Sequence, residues 1–130
     1  GAHLRRVMKI AITSEGKTPD AAVDPRFGRC KYFLIFDTGS GDFETVENSH
    51  AQNSGGAGIQ AGQLVVSKGV EVVLTGNMGP NAFEVAQSAG IKVITGVSGK
   101  ISEALESYKS GKFEAAKNPS VSSKSGISKV

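Results

Sequence analysis

Short β-branched runs alternate with helical periods along this chain, and the order in which they come leaves very few folds open. Val7 to Thr13 reads as a first, buried strand. Lys31 to Asp37 and Phe43 to Asn48 are two further strands, joined by Thr38-Gly39-Ser40-Gly41-Asp42, a short Gly-containing link typical of a hairpin. Ala57 to Lys68 spaces Ile59, Leu64, Val65 and Val66 for a helix that Gly69 ends. Val70 to Thr75 is again a strand. Pro80 then opens a helix and Gly90 closes it, with Phe83, Val85 and Ala86 between them. Ile91 to Thr95 is the last strand, and Ser98 to Ser110 is an amphipathic helix carrying Ile101, Leu105 and Tyr108 on one face.

Strands that feed helices returning to further strands pair in parallel through right-handed crossovers, whereas the hairpin sets one strand antiparallel. The expectation is an α/β domain with a five-stranded mixed sheet, one antiparallel strand and three helices. If the first strand is central, the loop 14–30, the loop 49–56 and the turns 76–80 and 96–100 share one edge, at the carboxyl ends of the parallel strands. Ligands of open α/β sheets bind at that edge.

The domain is expected to span residues 8–116. Residues 1–7, beginning Gly1-Ala2-His3, read as a cloning remnant or flexible start. Residues 117–130 read as a disordered tail, rich in Ser and Lys and poor in apolar residues. A chain of 130 residues buries roughly two thirds of its unfolded surface, so it needs no disulfide or structural metal. Its one Cys also precludes an intramolecular disulfide and a four-Cys metal site. No apolar run approaches the roughly 20 residues of a membrane span, and no signal peptide is apparent, so the expected location is cytoplasmic, away from membranes.

The net charge of +3 is unevenly placed. Residues 1–31 carry seven Lys or Arg against three acids, residues 32–116 carry five against nine, and the tail carries three Lys. A nucleic-acid binder spreads a basic stripe over its folded body, so no nucleic-acid partner is expected for this acidic body.

Three features converge on the ligand-binding edge. The first is Asp24-Pro25-Arg26-Phe27-Gly28-Arg29-Cys30-Lys31, where positive neighbours stabilise a thiolate on Cys30. The plainer reading makes Cys30 a small buried residue opening a strand. The second is Asn48-Ser49-His50-Ala51-Gln52-Asn53-Ser54-Gly55-Gly56-Ala57-Gly58, whose His50 is either a metal ligand or proton donor, or an idle loop residue. Gly56-x-Gly58-x-x-Ala61 matches a dinucleotide fingerprint by letter, but it follows a hairpin and lacks the acid at the end of the next strand. What survives is a helix N-terminus that favours an anion. The third is Gly76-Asn77-Met78-Gly79-Pro80-Asn81, either a compact strand-to-helix turn or a second N–H cradle with Met78 as a soft contact.

Enzyme chemistry finds little footing. No P-loop ends in Gly-Lys-Ser/Thr, and no Arg follows Cys30 to complete a thiol-phosphatase motif. Asp24, Asp37 and Asp42 do not gather into a magnesium site, because Asp42 lies in the hairpin turn at the opposite edge. A binding protein is expected, not an enzyme.

Taken together, Asp24-Pro-Arg-Phe-Gly-Arg-Cys-x-Tyr-Phe, Gly56-Ala-Gly, Gly69-Val-x-Val-Val-Leu-Thr-Gly-x-x-Gly79-Pro and Gly90-Ile-Lys-Val resemble the dinitrogenase iron–molybdenum cofactor biosynthesis family. The resemblance covers about residues 8–115. It implies a ribonuclease-H-like three-layer fold and carriage of a preassembled, anionic iron–sulfur or iron–molybdenum-type cluster, bound transiently, with cofactor-assembly or recipient proteins as partners. Arg26, Phe27, Gly28, Arg29, Cys30, Gly56, Gly58, Met78 and Gly79 are the expected cofactor contacts, with Cys30 and His50 as metal ligands. The alternative is a metal-free module that binds or senses an anion or small molecule.

Overall fold

The computed structural model describes residues 8–49, 56–116 and 119. In chain order the elements are β1 (Lys9–Ser14), β2 (Tyr32–Asp37), β3 (Phe43–Glu47), α1 (Ala57–Ser67), β4 (Val72–Leu74), α2 (Pro80–Ser88), β5 (Lys92–Ile94) and α3 (Ile101–Lys109). The five strands form one sheet in the order β3-β2-β1-β4-β5. Strand β2 runs antiparallel to both of its neighbours, and β1, β4 and β5 pair in parallel. The central position of β1 follows from its sequence: Ile10, Ala11 and Ile12 are apolar on both faces and fully buried, as a strand between two helical layers must be.

Alternation along the strands divides the core in two. Ile10, Ile12, Leu34, Val72, Leu74 and Ile94 face α3, where they meet Ile101 and Ala104. Ala11, Phe33, Ile35, Val73 and Val93 face the other way, toward Ala61 and Val65 of α1 and Ala82, Phe83 and Ala86 of α2. Each fully buried Leu, Ile, Val or Phe contributes about 1.5–3 kcal/mol, so these two clusters outweigh any surface ion pair. No helix among the described residues is long and apolar enough to cross a membrane.

The elements are shorter than their apolar runs for identifiable reasons. Val70 is still tied to the exit of α1, its N–H donating to the carbonyl of Val65 at 3.2 Å, so β4 starts at Val72. The turn of Gly69 at φ 75° makes that exit, a left-handed conformation that other residues resist. At α3 the N–H groups of Ile101 and Ser102 donate to the carbonyls of Ala21 and Pro19, so the helix begins where the loop after β1 meets it. Beyond α3 the chain wraps the free edge of β5: Ala116 N–H donates to Val93 O at 2.7 Å, which covers an otherwise exposed strand edge.

Candidate functional site

The loop after β1 crosses the carboxyl edge of the sheet, and its hydrogen bonds explain its course. Asp24 N–H donates to Thr13 O at 2.9 Å, while the Thr13 hydroxyl donates back to Asp24 O at 2.7 Å. Thr13 has one hydroxyl hydrogen and spends it on that carbonyl, so the Thr75 hydroxyl, 2.9 Å away, must donate to Thr13. Both threonines are fully buried. This chain of bonds fastens the loop to the ends of β1 and β4.

From Asp24 onward the loop turns toward α1 and α2. Phe27 N–H donates to Asn77 O at 3.2 Å, and the Asn77 amide donates to Pro25 O at 3.3 Å, joining the loop to the turn before α2. The Phe27 ring enters the core and meets Phe33 edge-on, with centroids 5.4 Å apart. Gly28 passes so close to α1 that a Cβ on it would stand 2.9 Å from the Cα of Gly58. Only a backbone without side chains allows that approach.

The edge therefore holds two helix N-termini beside the loop segment that carries Arg26 and Arg29. N-cap Gly56 of α1 (φ 77°) and N-cap Gly79 of α2 have no side chain to cap the helix, and neither first turn carries an acidic residue. The start of α3 differs, being closed by the carbonyls of Pro19 and Ala21. Arg26 stands at this edge with its side chain 63% exposed, its Nε 3.5 Å from Oδ1 of the buried Asp24. Arg29 and Asn77 are exposed as well.

The expected contacts thus divide into two sets. Arg26, Gly28, Arg29, Gly56, Gly58 and Gly79 lie in or beside this loop segment and the two helix starts. Phe27, Cys30 and Met78 do not reach the surface: all three are buried in the cluster that includes Phe33, Ala61 and Val65. His50 lies outside the described residues.

The expected thiolate at Cys30 is corrected by its surroundings. The sulfur is wholly buried and its S–H donates to Phe27 O at 3.3 Å. Burial, and after it the negative charge of Asp24, hold the thiol protonated far above the usual range. Arg29 and Lys31 are exposed on either side of it and do not reverse this. The plainer reading of Cys30, a small residue opening a strand, matches its environment. Among the described residues no group of three or more His, Cys, Asp and Glu side chains comes together to hold a metal ion.

Asn48, the first residue of the second sequence feature, has a positioning role that the sequence did not reveal. Buried at the end of β3, it donates through its side-chain amide to Cys30 O at 2.9 Å and Gly28 O at 3.1 Å, which fixes the loop from behind. A groove of about 540 Å³ between the outer faces of α1 and α2, lined by Ile59, Gln63, Val66 and Val85 among others, reaches the edge features only at Asn81.

Residues 8–111 match the family model described as dinitrogenase iron-molybdenum cofactor. An uncharacterized protein of Methanocaldococcus jannaschii is 30% identical over 112 residues, 84% of this chain and 92% of the relative. The apo form of the orange protein from Desulfovibrio gigas superposes with a TM-score of 0.84 at 38% identity, covering 89% of this chain and 98% of that one. The NMR structure of a putative NifB protein of the DUF35 family from Thermotoga gives a TM-score of 0.75 at 41% identity over 83% of this chain and 92% of its own.

Proposed function

The chain belongs to the dinitrogenase iron–molybdenum cofactor family, and from that premise we propose that it binds and carries a preassembled iron–sulfur-type metal cofactor, or a precursor of one, at the carboxyl edge of its sheet. The observation that carries this reading is the exposed Arg26 guanidinium beside the starts of α1 and α2, whose N-cap residues are glycines. The strand order, with β2 alone antiparallel, supports the ribonuclease-H-like assignment.

Sulfide-rich metal clusters are anions, and each part of this edge acts on negative charge. Arg26 and Arg29 attract it at a distance and donate charge-assisted hydrogen bonds on contact. The helix starts add oriented N–H dipoles that need no reorganisation when the cargo arrives. Because the Cys30 sulfur is wholly buried, this reading has the cargo held through its charge and shape, and such a grip is readily reversed, as carriage requires. His50 remains a proposed ligand, three chain positions from the Glu47 end of β3. The protein is a binder under this reading, with no reaction assigned to it, and proteins that assemble or receive the cofactor are its proposed partners. A metal-free anion-binding module is the second reading, favoured by the burial of the one sulfur nucleophile.

Anaerobic titration with tetrathiomolybdate, and separately with ferrous iron and sulfide, followed by gel filtration and visible spectroscopy, tests the proposal. The expected result is a metal–sulfur chromophore that co-elutes with the protein and is displaced only weakly by phosphate. No co-eluting chromophore, together with phosphate binding of equal strength, would overturn the carrier reading in favour of the metal-free one.

A further inference from the structure

Asp24 has an acidic side chain only 3% exposed at the base of an otherwise basic site. Such a group is expensive to bury unless its oxygens are occupied. Its backbone cannot retreat, because both its N–H and its carbonyl are bonded to Thr13. Pro25 follows it, which restricts Asp24 to extended backbone and turns the next residues back toward the carboxylate. Oδ1 accordingly accepts the N–H of Arg26 at 3.0 Å and lies 3.5 Å from Arg26 Nε. One carboxylate oxygen accepts the backbone N–H and lies in ion-pair range of the guanidinium of the same arginine.

From this we infer that Asp24 is a positioning residue for the anion site, holding Arg26 by its Nε edge so that the remaining guanidinium N–H groups stay outward for the cargo. The inference rests on the binding reading above. A guanidinium carries five N–H donors in a rigid fork, so engaging one edge leaves the others available. An arginine anchored in advance also loses less side-chain freedom when an anion binds. Substituting asparagine separates this role from a merely structural one. Its amide oxygen still accepts the Arg26 N–H and preserves the turn, but the charged contact with Nε is gone.

The test uses the full chain and tetrathiomolybdate as the probe. Asp24→Asn is expected to melt near the parent and to weaken binding about threefold to fivefold, the range of a single partly exposed ion pair. In an Arg26→Ala background the same change is expected to bring no further weakening, because the residue through which Asp24 acts is absent and only a charge repelling the anion is removed. Unchanged or tighter binding by Asp24→Asn with Arg26 present would overturn the inference and make Asp24 only a competing negative charge. A second measurement needs no ligand: the ¹⁵N heteronuclear NOE of Arg26 Nε. Backbone-like rigidity in the parent that falls in Asp24→Asn supports the anchor, and equal mobility in both overturns it. A parent that fails to bind the probe counts against the binding reading, while the NOE comparison still decides whether Asp24 holds Arg26.

Discussion

Gly28 and Gly58, thirty residues apart, meet without side chains: a Cβ built on Gly28 would lie 2.9 Å from the Cα of Gly58 and 3.0 Å from its N. The contact brings the loop that carries Arg26 and Arg29 against the first turn of α1, and it is asymmetric. A Cβ on Gly58 would meet Ala82 Cβ at an ordinary 3.5 Å. Gly28→Ala is therefore expected to lower stability by about 1–3 kcal/mol, the cost of overpacking against backbone that cannot move aside. Gly58→Ala is expected to cost less than 1 kcal/mol, since Ala suits a helix better than Gly. Urea melts of the two variants check the order, and equal losses would show that the loop gives way.

A similar asymmetry governs Thr13 and Thr75. Removing the Thr75 hydroxyl takes away a donor to Thr13 and leaves the bond from Thr13 to Asp24 O in place. Removing the Thr13 hydroxyl strands a buried carbonyl and a buried hydroxyl together. Thr75→Val is expected to cost about 1 kcal/mol and Thr13→Val about 2–3 kcal/mol, because an unsatisfied buried group loses its whole solvation. Thermal unfolding of both variants reads the difference directly.

The frame of the molecule was legible because it depends on period and punctuation. Pro80 and Gly90 bracket a helix that runs Pro80–Ser88, and the hairpin at Thr38 to Asp42 sets β2 and β3 antiparallel. The loop chemistry was not legible in the same way. Arg29 and Lys31 flank Cys30 in the chain, but at the entry to an extended segment adjacent side chains point to opposite sides. Sequence neighbours that look like thiolate partners thus stand in solvent while Cys30 enters the core. Asn48 and Asn77 hold the loop by side-chain bonds to backbone 18, 20 and 52 residues away, and no local pattern announces such pairings. Phe27 and Met78 stand at edge positions in the chain, but the loop that bears one and the turn that bears the other are tied together through Asn77, and both side chains are core.

The protonated, enclosed thiol of Cys30 makes a direct chemical prediction. Reaction with a disulfide reagent needs thiolate and access, and this sulfur lacks both. The native protein at pH 8 is expected to leave the reagent unreacted over minutes and to release one equivalent once unfolded in guanidinium. Cys30→Ser is expected to cost about 1–3 kcal/mol in stability, from a hydroxyl set in an apolar site, and to keep full anion binding wherever it remains folded. Rapid labelling of native protein, or a folded Cys30→Ser chain that binds no metal–sulfur probe, would restore Cys30 as a ligand.

The arginines should carry the long-range part of binding. Arg26 and Arg29 sit on an exposed loop above two helix starts, in a body whose remaining folded residues are net acidic, so the attraction for an anion is local to this edge. Exposed charges act through solvent and are screened over about 10 Å at 0.1 M salt, against about 30 Å at 0.01 M. The double change Arg26→Ala and Arg29→Ala is accordingly expected to weaken tetrathiomolybdate binding by about tenfold at 0.01 M salt, the equivalent of about 1.4 kcal/mol, and by several-fold less at 0.5 M. Equilibrium titrations over that range of ionic strength, on protein of unchanged melting temperature, measure both numbers. Parallel salt dependence in the parent and the double variant would show that the charge felt by the anion comes from elsewhere. The helix starts of α1 and α2, whose N–H groups need no side chain, would then be left to hold it alone.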